Sequence, residues 1–126
     1  MKPTVLYIED HPDNMTLVRR ILRSDTYSLL EAKTGLQGLS IAESQVPDLI
    51  LLDINLPDID GYEITRRLRS SANFTLAQMP IIAVTANALK GDSKKAMDAG
   101  CDAYFSKPID IHELLETVEL FVCKNQ

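Results

Sequence analysis

Short apolar runs alternate with longer segments of helical period along this chain, an alternation expected of parallel strands joined by helices. Five runs, residues 4–8, 27–32, 48–52, 80–85 and 102–105, read as strands. Ile50, Leu51 and Leu52, and again Ile81, Ile82, Ala83 and Val84, show no polar alternation. Those two strands are therefore expected at the centre of the sheet, covered on both faces. Met15, Val18 and Leu22, flanked by Leu17 and Ile21, form the apolar stripe of a first helix, with Arg19, Arg20 and Arg23 mostly outside it. Thr34-x-x-Gln37, Asp60-x-x-Glu63 and Asp110-x-x-Glu113 are capping boxes or acidic variants of them, marking three helix starts. Gly100 falls where a left-handed residue ends the helix before the fifth strand. Ile111, Leu114, Leu115, Val118 and Val122 line one stripe of the last helix. The polar stretch 70–78 reads as the one long loop.

Right-handed crossovers through these elements give an α/β, flavodoxin-like (βα)5 sandwich, its five-stranded parallel sheet in the order 2-1-3-4-5 with helices on both faces. At 126 residues, residues 1–126 read as a single domain, long enough to fold without a disulfide or structural metal. Charge narrows the partners: 18 acidic against 13 basic residues, net −5, disfavour the phosphate-tracking surface of a nucleic-acid binder. No apolar run approaches a membrane span, and the N-terminus lacks a signal peptide's apolar core, so a cytoplasmic location is expected. Cys101 and Cys123 have neither C-x-x-C spacing nor a His at a ligand interval and read as reduced structural thiols.

Ligands of an open parallel sheet sit outside the carboxyl ends of its strands. Glu9-Asp10 follows the first strand, Asp53 the third, Thr85 ends the fourth, and Ser106-Lys107-Pro108 closes the fifth. Three carboxylates at one edge repel one another, and protonation or a bound cation must relieve them. An all-oxygen set favours Mg2+. If Asp53 accepts a phosphoryl group, that ion and Lys107 would balance charge on the transferring oxygens, while the Thr85 hydroxyl and a nearby backbone N–H bond another. Singly, each residue has an ordinary reading: Glu9 and Asp10 as solvated turn acids, Thr85 as a β-branched strand residue, Lys107 as a loop lysine. Their convergence at one sheet edge is what points to chemistry.

These residues, in this order and spacing, resemble the receiver domains of two-component response regulators. The motifs are Glu9-Asp10, Asp53-Ile54-Asn55-Leu56-Pro57-Asp58-Ile59-Asp60-Gly61, Thr85-Ala86 and Lys107-Pro108. Stretches 85–92 and 99–109 look most like stand-alone DivK-type regulators and the receivers of hybrid histidine kinases. The resemblance implies that Asp53 is the phosphoacceptor. It also implies that Asp10, Asp53 and the backbone carbonyl of Asn55 ligate Mg2+, with Glu9, in place of the commoner Asp, acting mostly through water. By the same likeness, Lys107 contacts the phosphoryl group, the Ala86 amide donates to it, and the Lys107–Pro108 peptide is cis. Thr85 and Tyr104 form the switch, Thr85 swinging toward the phosphate and Tyr104 turning inward behind it. Asn55 and Asn87 flank the place where family members tune water access.

The resemblance further implies a histidine kinase or histidine phosphotransfer protein as donor. It would dock on the first helix and the loop before the last, with Met15, Pro108 and Ile109 as apolar contacts and the first-helix arginines as a possible charged one. A downstream effector protein would read the face of the helix before strand five, strand five and the last helix. A monomer or a weak phosphorylation-dependent dimer is expected. The leading expectation is a single-domain response regulator, a signalling protein that assists its own phosphorylation and dephosphorylation. Met1, three residues before the first strand, weighs for a complete protein, and no output domain is expected beyond residue 126. The alternative is a receiver from a hybrid kinase or phosphorelay. A Mg2+-dependent phosphatase with an Asp nucleophile would carry a second acid two residues after Asp53, where Asn55 stands. A flavodoxin-like cofactor binder would need a Gly-rich phosphate loop where Glu9-Asp10-His11-Pro12 would repel phosphate. His11 and His112 read as solvated residues without a role.

Overall fold

The computed structural model describes residues 2–22, 26–86 and 92–124; Arg23, Asn87 and the side chain of Cys123 lie outside the described residues. Five strands, β1 (Thr4–Ile8), β2 (Ser28–Ala32), β3 (Leu49–Asp53), β4 (Ile81–Thr85) and β5 (Ala103–Ser106), pair in parallel in the order β2-β1-β3-β4-β5. Every residue of β3 and β4 is buried, the environment their unbroken apolar runs require.

Strand alternation sorts the core into two layers. Leu6, Ile8, Ile50, Leu52, Ile81 and Ala83 pack with residues of α2 (Gly35–Gln45), α3 (Gly61–Arg69), α4 (Phe74–Ala77) and α5 (Asp92–Ala99). Val5, Tyr7, Leu49, Leu51, Ile82 and Val84 pack against Met15, Val18 and Leu22 of α1 (Pro12–Leu22) and Leu114, Val118 and Val122 of α6 (Ile111–Lys124).

Four strands, β2 to β5, begin one residue later than the apolar pattern predicts, and β3 and β5 also end one residue later, because pairing rather than hydrophobicity sets the ends. Asp53 pairs with Val84 and Ser106 with Thr85, while Asp48 stays outside β3 and its carboxylate accepts the Thr4 N–H at 2.7 Å. The expected loop 70–78 contains the single turn α4. Asn73 caps it, its side-chain oxygen accepting from Leu76 N at 3.2 Å, and Leu76 is buried beneath.

The predicted caps form with differences of detail. Thr34 Oγ1 accepts from Gln37 N at 3.1 Å, while Gln37 Oε1 accepts from Lys33 N at 2.9 Å, one residue ahead of the usual reciprocal bond. Asp60 caps Tyr62 N at 2.8 Å, but Glu63 turns away to pair with Arg66 and Arg67. Asp110 accepts from His112 N and Glu113 N at 2.9 and 3.1 Å. Gly100 follows α5 with φ 115°, and a Cβ there would meet Arg69 Cγ at 2.9 Å. Its bare backbone lets Arg69 donate to the Gly100 carbonyl at 2.9 and 2.7 Å, and also to Ala77 O, Met79 O and Asp102.

Candidate functional site

Register carries the chemistry to one edge. Ile8 lies beside Ala32 and Leu52, Asp53 beside Val84, and Thr85 beside Ser106, so the residues at the carboxyl ends of β1, β3, β4 and β5 line up. Asp53 is 2% exposed and Glu9 1%, whereas Asp10 is exposed. One carboxylate oxygen from each of the three lies within 4.8 Å of the others. Lys107 reaches in from the β5–α6 loop, its Nζ 2.9 Å from Glu9 Oε1 and 3.4 Å from Asp53 Oδ2.

Each buried carboxylate is held by further donors. The Tyr7 hydroxyl donates to Glu9 Oε1 at 2.8 Å and His11 N to Glu9 Oε2 at 3.2 Å. Asn55 N donates to Asp53 Oδ1 at 3.0 Å. The Asn55 side chain faces the other way, its Oδ1 accepting from the Thr85 hydroxyl at 3.0 Å and Ala86 N at 3.4 Å. The loop after β3 stays pinned because Gly61 N donates to Ile54 O at 3.1 Å and a Cβ on Gly61 would sit 2.6 Å from Ile54 Cα. Asp58 ties the same loop to α2, its carboxylate accepting from Gly35 N and Leu36 N at 2.9 and 3.0 Å.

Electrostatics divides the two buried acids. Burial first, then the hydrogen bond with Glu9 and its charge, push Asp53 from an ordinary 3.8 up to about 7, against the Asn55 N–H and Lys107. Burial also opposes ionisation of Glu9, but hydrogen bonds to Lys107, Asp53 and Tyr7 outweigh it and hold the carboxyl below its ordinary value. Burial and the neighbouring Glu9 charge drive the Tyr7 hydroxyl far up, so it stays a donor. The site thus carries more carboxylate than one ammonium can balance. Its donors are all oxygen, and the set fits a hard divalent cation such as Mg2+.

Several expected residues meet here: Glu9, Asp10, Asp53, Asn55, Thr85, Ala86 and Lys107. The Lys107–Pro108 peptide is cis. Tyr104 lies half-buried against the α2–α5 side of the core. Met15 corrects an expectation: it is 4% exposed within the α1–α6 layer and cannot be a surface contact, since the apolar stripe of α1 faces the sheet. Pro108 is exposed and Ile109 half-buried. Arg19 forms two 2.6 Å bonds with Glu31 of β2. Sequence reasoning passed over Tyr7 and Asp58. Strand period two places Tyr7 on the same side as Glu9, a signal that was legible; Asp58 acts across 22 and 23 residues and left none.

The response regulator receiver domain model matches residues 5–119. The chain belongs to the response regulator receiver family. It is 38% identical over 122 residues to the polar-differentiation response regulator DivK of Brucella ovis, covering 97% of this chain and 98% of that protein. Among solved structures, it resembles the receiver domain of a sensor histidine kinase from Pseudomonas aeruginosa PAO1, which has a magnesium ion coordinated in its active-site cleft. That match has a TM-score of 0.87 and 38% identity, covering 97% of this chain and 98% of the other. It also matches a chain in the complex of the Saccharomyces cerevisiae histidine phosphotransfer protein Ypd1 with the receiver domain of its downstream response regulator Ssk1. There the TM-score is 0.88 and the identity 30%, covering 98% and 91% of the two chains. This receiver is thus a protein of two-component signalling, and among its described residues no helix is long and apolar enough to cross a membrane.

Proposed function

We propose that this receiver accepts a phosphoryl group on Asp53 from a phosphohistidine of a histidine kinase or histidine phosphotransfer protein and signals through altered protein contacts. The observation that carries the reading is the buried Asp53 carboxylate, grouped with Glu9 and Asp10 and facing Lys107 at 3.4 Å. In the transfer an ionised Asp53 oxygen attacks phosphorus in line. The new P–O bond forms as the P–N bond to the donor histidine breaks, and the imidazole leaves with that electron pair. Asp10, Asp53 and the Asn55 backbone carbonyl, with Glu9 through water, would hold Mg2+, which when bound supplies positive charge to the phosphoryl oxygens.

Lys107, divided between Glu9 and Asp53, moves its ammonium toward the added charge. The Thr85 hydroxyl and Ala86 N–H, both on Asn55 Oδ1, exchange that partner for a phosphoryl oxygen. Tyr104 turns inward behind Thr85, and the α5, β5 and α6 face presents the result to an effector protein. On this reading residues 1–126 act as a single receiver domain, a signalling protein rather than an enzyme with its own substrate. Pro108 and Ile109 remain the apolar candidates for donor docking.

Equal identity to DivK and to a kinase-borne receiver supports a free regulator or a hybrid-kinase receiver alike. The phosphatase alternative is disfavoured by Asn55, whose side-chain oxygen is engaged by Thr85 and Ala86 and which offers no acid to a leaving group. The test is label transfer from a phosphorylated histidine phosphotransfer protein to wild type, Asp53→Asn and Lys107→Ala. Wild type takes up label, Asp53→Asn takes up none, and Lys107→Ala is at least ~100-fold slower, the lower end of the range for losing one aimed donor. Undiminished label on Asp53→Asn would overturn the assignment.

A further inference from the structure

Glu9 carries one methylene more than the aspartate commoner at its position, and so one more rotatable bond to immobilise before its carboxylate can serve a cation. Tyr7 does that here. The two residues lie two apart on extended backbone, on one side of the sheet. The Tyr7 ring is wholly buried in the layer containing Met15, Val18, Leu114 and Val118, so its hydroxyl is fixed by the core. That hydroxyl donates to Glu9 Oε1 at 2.8 Å, on the same oxygen that Lys107 approaches at 2.9 Å, and His11 N holds Oε2 at 3.2 Å.

We infer that Tyr7 is a positioning residue for the metal-binding acids, and that Tyr7 and Glu9 form one unit in which the hydroxyl fixes the carboxylate that shapes the Mg2+ site. The inference rests on the metal reading of the site proposed above. Loss of a partner that orients a direct metal ligand costs about 10- to 100-fold; Tyr7 orients an acid that reaches the ion through water, which sets its effect at the lower end of that range. An aspartate at position 9 would be a methylene too short to use the hydroxyl, so Tyr7 matters only with a glutamate beside it.

The experiment is calorimetric titration of Mg2+ into wild type, Tyr7→Phe, Glu9→Asp and the double variant, each shown folded by circular dichroism. Tyr7→Phe weakens Mg2+ binding about 10-fold, the lower end of that range. The same change in the Glu9→Asp background alters affinity less than about twofold, a coupling that a merely structural role would not produce. Mg2+ affinity within twofold of wild type in Tyr7→Phe, or an equal loss in both backgrounds, overturns the inference alone. A wild-type chain that takes up no Mg2+ overturns the metal reading and this inference with it.

Discussion

Neutralising Asp53 should stabilise the metal-free protein at alkaline pH, although it removes the reactive group. Asp53 is 2% exposed and its carboxyl is pushed from 3.8 up to about 7, so the folded state holds a proton that the unfolded chain has released. Stability therefore falls as pH rises from near 4 to near 7, and the loss is complete above that window. A rise of this size corresponds to ~4 kcal/mol at most. Asp53→Asn keeps an oxygen for the Asn55 N–H but gives up the Lys107 contact, leaving a net gain of about 2 kcal/mol at pH 8 and under ~1 kcal/mol at pH 5. With a urea slope of about 1.5 kcal/mol/M for a small domain, the midpoint at pH 8 in chelator moves up by about 1 M. A variant no more stable than wild type at pH 8, or a gain equal at both pH values, would show that Asp53 does not hold its proton in the folded state.

Three further outcomes follow from the geometry. Mg2+ at ten times its dissociation constant should raise wild-type stability by ~1.4 kcal/mol, and Asp10→Asn, at an exposed position, should erase most of that gain; an undiminished thermal shift in the variant contradicts the ligand set. Gly61→Ala drives a Cβ to 2.6 Å from Ile54 Cα, backbone that yields poorly, and should cost about 1–3 kcal/mol in urea unfolding; an unchanged midpoint would show that the loop has slack. Arg19→Ala should leave the unfolding midpoint nearly unchanged, as expected for a partly exposed ion pair, and Arg19→Glu should leave phosphotransfer within about twofold because Arg19 already serves Glu31. A large loss of transfer would restore it as a docking residue.

Fold and site were legible to different depths. The uninterrupted runs in β3 and β4 announced central strands, and the side chains of Thr34, Asp60 and Asp110 capped helices where their spacing said they would. Strand ends slipped by a residue because Asp53 and Ser106 join the ladder for its hydrogen bonds, which hydrophobicity does not record. The site acids were legible because strand ends in an open sheet converge. Their division was not: which acid keeps the proton depends on where Lys107 and the Tyr7 hydroxyl lie in space. The rotation of α1 was legible, since its stripe of Met15, Val18 and Leu22 is buried and Leu17 is exposed; the docking role given to Met15 came from the resemblance and not from that stripe.

Phosphoryl uptake by Asp53 is best measured by intact mass after incubation with a small phosphodonor, with and without Mg2+, beside Asp53→Ala. Wild type should gain one phosphoryl group, only with Mg2+, and the variant none. The same gain by Asp53→Ala would contradict uptake at Asp53, as would none by wild type either with the small donor or with a promiscuous phosphorylated kinase.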